Sequence, residues 1–176
     1  PDEVALVDAA AHFGYVFKGA TNSGKIIAVN DKDQEIEVLQ FFEFDSERKR
    51  SSIIIRQDGV IKHLMKGADS IIIARLDKNN QPYLAKTNKL LEKFSLRGLR
   101  TLCYAMKCWS KREYEEIERK LKSFDSSTEK LKLVNAYASE IEQGFQLLGC
   151  TAVEDKLQDK VPETIADCLS ANIKVW

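Results

Sequence analysis

Apolar residues at Val4, Leu6, Val7, Ala10, Ala11 and Phe13 keep nearly helical spacing and predict a helix from Asp2 to Phe13, stopped by Gly14. Asp2 and Glu3 fall in its first turn, where the helix dipole favours negative charge. The pattern then changes to alternation. Residues 15–20 and 26–29 read as strands flanking the turn Thr21-Asn22-Ser23-Gly24, and residues 34–44 as a longer strand. Residues 52–56 and 60–65 flank Gln57-Asp58-Gly59, and the Asp-Gly pair predicts a tight hairpin. A short helix follows over 68–76. Another is expected to open on Pro82 at its first position and to run to about Leu96, closed by Gly98.

The second half is richer in helices. Residues 100–109 read as a strand. Ser110-Lys111-Arg112-Glu113 and Ser126-Ser127-Thr128-Glu129 have the spacing of capping boxes opening helices over 111–124 and 128–143. Their Lys and Glu residues at i,i+4 spacing describe solvated outer faces. A strand over 145–153, a helix over 161–171 with Pro162 in its first turn, and a strand beginning at Ile173 complete the chain. Hairpin-linked strands followed by paired helices indicate an α+β fold, a twisted antiparallel sheet with helices packed on its faces. The closing strand–helix–strand order is instead that of a parallel α/β sheet.

Composition narrows the function classes. With 176 residues, 44% of them hydrophobic, the chain can bury one core. Lys+Arg and Asp+Glu both total 27, so no global field draws it to nucleic acid or to an anionic membrane. No apolar run approaches the ~18 residues that span a bilayer. Cys103, Cys108, Cys150 and Cys168 lack metal-ligand spacing and read as reduced thiols, so no metal site is expected. An opening on Pro1-Asp2-Glu3 without Met suggests an excised fragment.

Several residues carry candidate chemistry, each beside a plainer reading. Phe44 ends an apolar strand and is followed by Asp45-Ser46, so it is either a rim aromatic for stacking or ordinary core; Phe41 and Phe42 read as core. Arg48-Lys49-Arg50 is a solvated turn or a cationic cluster. Lys66, before Gly67, turns back into a pocket, with the glycine giving a ligand room, or snorkels from a strand end. Arg100 offers a planar fork to phosphate oxygens or pairs with a carboxylate. His12 and His63 read as helix and strand fillers, and no nucleophile–base pair stands out, so no catalytic residue is assigned.

Five blocks together resemble the type IV P-type ATPases, the phospholipid flippases: Pro1-Asp-Glu-Val-Ala-Leu-Val, Phe42-Glu-Phe-Asp-Ser-Glu-Arg-Lys-Arg50, Lys66-Gly-Ala-Asp-Ser70, Gly98-Leu-Arg-Thr-Leu-Cys103 and the segment from Leu147 to Trp176. They occur in the family's order. The pattern departs at Ser51-Ser52, where the family commonly has Met-Ser. The resemblance implies a nucleotide-binding domain over 1–147 and a returning piece of the phosphorylation domain over 148–176. It also implies an ATP site in which Phe44 stacks on adenine, Glu3 approaches the adenine amino group or ribose, Lys49 lies near the nucleotide, Lys66 lines the floor of the pocket and Arg100 points at the distal phosphates. Asp155 and Asp159 match acidic residues that lie near the phosphorylated aspartate of the neighbouring domain.

The Asp-Lys-Thr-Gly motif that carries that aspartate is missing from the sequence. The fragment is therefore expected to bind ATP without turning it over, with Mg²⁺ held mainly by the absent phosphorylation domain. Its expected partners are ATP, the phosphorylation and actuator domains of the same chain and, through the full-length protein, a non-catalytic flippase subunit. The expected place is the cytosolic face of a membrane. The same domain of an ion pump, or an interaction module with a vestigial pocket, are the competing readings.

Overall fold

The computed structural model describes every residue except Pro1, Ser23, Asn80, Asp155, Leu157 and Trp176. Helix α1 (Asp2–His12) leads into strands β1 (Tyr15–Ala20), β2 (Gly24–Val29), β3 (Lys32–Asp45), β4 (Arg50–Gln57) and β5 (Val60–Gly67). Helices α2 (Asp69–Ile73) and α3 (Leu84–Leu96) precede β6 (Arg100–Trp109). Then come α4 (Lys111–Lys122), α5 (Lys130–Ile141), β7 (Gln146–Val153) and α6 (Val161–Ser170). The seven strands form one sheet in chain order, and every neighbouring pair is antiparallel. The β4–β5 hairpin turns on Asp58 (φ 51°) and Gly59 (φ 76°), the two positive φ angles that an Asp-Gly turn supplies.

Residues directly opposite in a ladder share a face, so the register sorts the side chains. Phe42, Ser52, His63 and Lys107 lie on one face with Ile54, Ile61, Met65, Cys103 and Ala105. Helices cover this face in two clusters. Ile72, Leu76 and Leu91 close over Met65, Cys103, Ala105, Phe145 and Leu147. Tyr114, Ile117 and Ala138 of α4 and α5 close over Phe42, Ile54 and Ile61. The spacing of Tyr114, Ile117 and Leu121 puts one stripe of α4 inward, while its charged residues stay in water. The other face presents Phe41, Ser51, Ile53, Leu64, Lys66 and Tyr104 and is left largely open, with α1, which buries none of its residues, at its margin.

The structure corrects several expectations. The capping box at Ser110 forms, with both reciprocal bonds present. That at Ser126 does not: α5 starts at Lys130, and its N-cap Glu129 makes no side-chain cap bond. Pro82 lies two residues before α3 rather than at its first position. The strand of the closing segment does not start a parallel α/β unit. β7 pairs antiparallel with β6 through Val153, so the expected boundary at 147/148 falls inside a strand of the common sheet. Residues 173–175 form no strand, and Trp176 lies outside the described residues. Phe41 is 52% exposed on the open face, whereas Phe42 beside it is 2% exposed.

Gly67 ends β5 where the chain crosses closest to β4. A Cβ there would stand 2.6 Å from the Lys49 carbonyl oxygen and 2.9 Å from the Arg50 Cα. Its absent side chain makes room for backbone of the same chain, and the residue also lines the candidate cavity beside Lys66. Those neighbours are main chain and cannot swing away, so Gly67→Ala should destabilise the fold by ~1–3 kcal/mol. Urea unfolding of the variant beside the native chain measures this loss.

Candidate functional site

The open face carries the candidate site. Glu3, Phe44, Lys66 and Arg100, expected from sequence to act together, line one cavity of ≈ 340 Å³ with Asp2 and Ser51. Each comes from a different element: Glu3 from the first turn of α1, Phe44 from the end of β3, Lys66 from the end of β5 and Arg100 from the start of β6. In an antiparallel sheet, alternate strand ends gather on one edge, which is why residues so far apart in sequence meet. Phe44 is 67% exposed, so it is a rim aromatic and not core. Lys49 does not line this cavity. It sits in the β3–β4 turn with φ 51°, and its carbonyl accepts a bond from the Ala68 amide at 3.2 Å.

The charges at the cavity are paired within the chain. Lys66 Nζ donates to both Glu3 carboxylate oxygens at 2.5 and 2.7 Å. Arg100 Nη1 donates to Asp2 Oδ2 at 3.3 Å. The first turn of α1 thus reaches across to the two cationic strand ends. Two further cavities adjoin, of ≈ 290 and ≈ 600 Å³, and Lys66 and Tyr104 line both. The result is a flat aromatic face, apolar walls, two cations at the rim and carboxylates for a donor group. This arrangement suits a ligand with a planar ring and an anionic tail.

Behind the sheet, on the helix-covered face, lies a buried polar network that the sequence reading did not anticipate. Glu142, the C-cap of α5, is 0% exposed. It accepts bonds from Arg48 Nη2 at 2.5 Å, Arg50 Nε at 2.6 Å and Ser52 Oγ at 2.6 Å. His63 Nε2 lies 3.0 Å from Ser52 Oγ, and Trp109 Nε1 donates to His63 Nδ1 at 3.4 Å. This fixes the tautomer: the ring proton resides on Nε2 and is donated to Ser52, whose own proton goes to Glu142. Lys107 Nζ donates to the Ile141 and Gln143 carbonyls at 2.5 and 2.7 Å and rests over the Trp109 ring. The signal in the sequence was Arg50 and Ser52 at i,i+2 spacing before the apolar Ile54, which puts an arginine on an inward face and calls for a buried acid.

Burial, reinforced by the positive charges of Lys107 and Arg48, lowers His63 to about 3. Burial likewise lowers Lys107 to about 8 and raises the Cys103 thiol to about 12. Cys103 is accordingly an inert core thiol. Of the acidic pair near the C-terminus, Asp155 lies outside the described residues and Asp159 is exposed. Among the described residues no three His, Cys, Asp or Glu side chains are gathered as a metal site, and no helix is long and apolar enough to cross a membrane.

An aromatic and two cations gather at one edge of this α+β domain, and comparison with known proteins shows its family. Residues 1–160 match the model of the P-type ATPase cytoplasmic domain N, and the chain belongs to that family. Over its whole length it is 44% identical to the phospholipid-transporting ATPase IC of Xenopus tropicalis, 42% to the phospholipid-transporting ATPase DRS2 of Saccharomyces cerevisiae and 43% to the phospholipid-transporting ATPase DNF1 of Chaetomium thermophilum. The chain spans only 14%, 13% and 12% of those relatives, respectively.

The His63 shift has a testable sign. The unfolded imidazole titrates near 6.5 and the folded one near about 3, so the fold holds the neutral form. This contribution is complete above pH 6.5 and is lost progressively as pH falls below it, because only the unfolded chain then takes up the proton. Between pH 7.5 and pH 5 the native chain should lose about 2 kcal/mol from this group. Denaturant unfolding at the two pH values reads the loss, and His63→Gln should flatten the slope by that amount. An imidazole NMR spectrum showing His63 protonated in the folded chain at pH 5 would contradict the assignment.

Proposed function

We propose that the chain is the ATP-binding unit of a phospholipid-translocating P-type ATPase, presenting ATP to an aspartate outside this segment. The single observation that supports it best is the convergence of Phe44, Lys66, Arg100 and Glu3 on one cavity. In this reading adenine stacks on Phe44 over the apolar floor beside Lys66, Glu3 accepts from the adenine amino group, and Arg100 takes the distal phosphates. Lys49, on the turn beyond Phe44, lies near the nucleotide without lining the cavity. Phosphoryl transfer of this kind is mostly positioning and charge neutralisation. The chain's own residues supply the positioning, while Mg²⁺ and the acceptor belong to the adjoining phosphorylation domain, toward which the chain returns after β7. The whole protein then works with its cytosolic domains facing this site and translocates phospholipid, as the names of its relatives indicate.

A site built from one side of a cleft binds weakly, so the dissociation constant for ATP should be on the order of 1 mM, roughly −4 kcal/mol. Phe44→Ala should weaken ATP, ADP and AMP alike by about tenfold, since all three share the stacked ring. Arg100→Ala should penalise ATP more than AMP, because its partners are the distal phosphates. NMR titrations of the three nucleotides test both variants. Equal losses for all three in the Arg100 variant would overturn that assignment, and no saturable change up to ~10 mM in the native chain would overturn the nucleotide reading itself.

Incubation with γ-labelled ATP and Mg²⁺ should leave the chain unlabelled. Its Asp-Lys pairs at 31, 77, 155 and 159 are followed by Asp33, Asn79, Leu157 and Val161, never by Thr-Gly. A hydroxylamine-sensitive label on any of its aspartates would refute this.

A further inference from the structure

We propose that Glu142 is a positioning residue for the nucleotide cavity, acting through the sheet from the opposite face; this rests on the nucleotide reading above. A carboxylate at a helix C-terminus runs against the local rule, since the dipole there favours cations. Glu142 is nonetheless fully buried there, and its oxygens hold the two arginines of the β3–β4 turn. A local rule broken at a buried position marks a constraint imposed from elsewhere.

Three routes lead from this carboxylate to the cavity. Arg48, held by Glu142, also donates Nη1 to the Glu43 carbonyl at 3.2 Å, which fixes the backbone immediately before Phe44. Arg50 and Ser52 are both bonded to Glu142 from the inner face of β4, so Ser51 between them is held pointing outward into the cavity lining. Arg50 also returns Nη1 to the Arg48 carbonyl at 2.9 Å and takes Ser139 as a further partner at 3.0 Å. The third route passes through Lys49, whose carbonyl accepts from Ala68, and through Gly67, packed against Arg50. Together these two contacts seat the end of β5 that carries Lys66. One buried carboxylate thereby sets the relative places of Phe44, Ser51 and Lys66 without touching a ligand.

The test must separate positioning from stability. Glu142→Gln alone strands two buried arginines and risks unfolding. The combined variant Arg48→Met, Arg50→Met, Glu142→Leu removes the whole ionic group, and replacing such a group by apolar residues is often neutral or stabilising. We expect it to melt near the native temperature. Amide hydrogen exchange over residues 44–51 and 66–68 should accelerate by about tenfold, and ATP should bind about tenfold more weakly in NMR titration. Native exchange rates in the folded variant, or faster exchange with native ATP affinity, would overturn the proposal.

If the combined variant fails to fold, Ser139→Ala decides. It removes one bond from Arg50 and leaves every charge in place, and exchange over 44–51 should rise about threefold; unchanged exchange there would equally overturn the claim. Absence of saturable ATP binding by the native chain would refute the nucleotide reading instead, and the exchange measurements would still decide whether Glu142 sets the cavity's geometry.

Discussion

Two arginines sharing one buried carboxylate form the constraint around which this domain is organised. Arg48 and Arg50 leave the end of the β3–β4 turn on the helix side of the sheet, and Glu142 meets them from the end of α5. Taking three charges out of water costs several kcal/mol each, and the mutual attraction offsets this only when the remaining donors are satisfied. Most are satisfied, by Ser52, Ser139 and the carbonyls of Glu43 and Arg48. The group still carries one more positive charge than negative, and Lys107 stands beside it. A protonated His63 would add to that excess, which gives an electrostatic reason, beyond burial alone, for its ring to stay neutral and serve as a relay between Trp109 and Ser52.

This network also separates the two apolar clusters on the helix side. Ile72, Leu76 and Leu91 build one; Tyr114, Ile117 and Ala138 build the other, and the line of Ser52, His63 and Lys107 runs across neighbouring strands of the same face. Because side chains alternate along each strand, a polar line on one face leaves the intervening residues to the other. Ser51, Leu64, Lys66 and Tyr104 are those residues, and all of them line the cavities of the open face. Core and candidate site are thus two readings of one alternation.

How much of this was legible in the sequence follows from which signals are local. The Asp58-Gly59 turn and the Ser110 capping box depend on residues within a few positions of each other, and both formed as read. Glu3, Phe44, Lys66 and Arg100 were named through a family resemblance; the antiparallel order of the strands brings the last three to one edge, where α1 presents Glu3. The failures were non-local. The strand–helix pattern after residue 146 looked parallel, because antiparallel pairing with β6 is a tertiary fact that no spacing encodes. Glu142 was invisible because its charge partners lie more than ninety positions away, and a Glu near a helix end ordinarily reads as solvated. Gly67 lines the cavity, and what the sequence did not show is that the Lys49–Arg50 backbone also needs the room it leaves.

The pairing of the cavity's charges bears on how such a site would work. Arg100 is already engaged by Asp2, as Lys66 is by Glu3, so an incoming phosphate in the proposed reading replaces the Asp2 carboxylate at Arg100 by another anion. These pairs are largely exposed, and each is worth about 0–1 kcal/mol. The exchange therefore yields little net free energy at the anionic end, while burying a ring against Phe44 and the adjoining apolar walls gains surface that nothing in the ligand-free chain covers. Affinity would then come mainly from the ring, and the phosphates would be held loosely enough to be reoriented by a second domain closing over them. A tightly held phosphate tail would have to be released before transfer; a tail exchanging between weak partners does not.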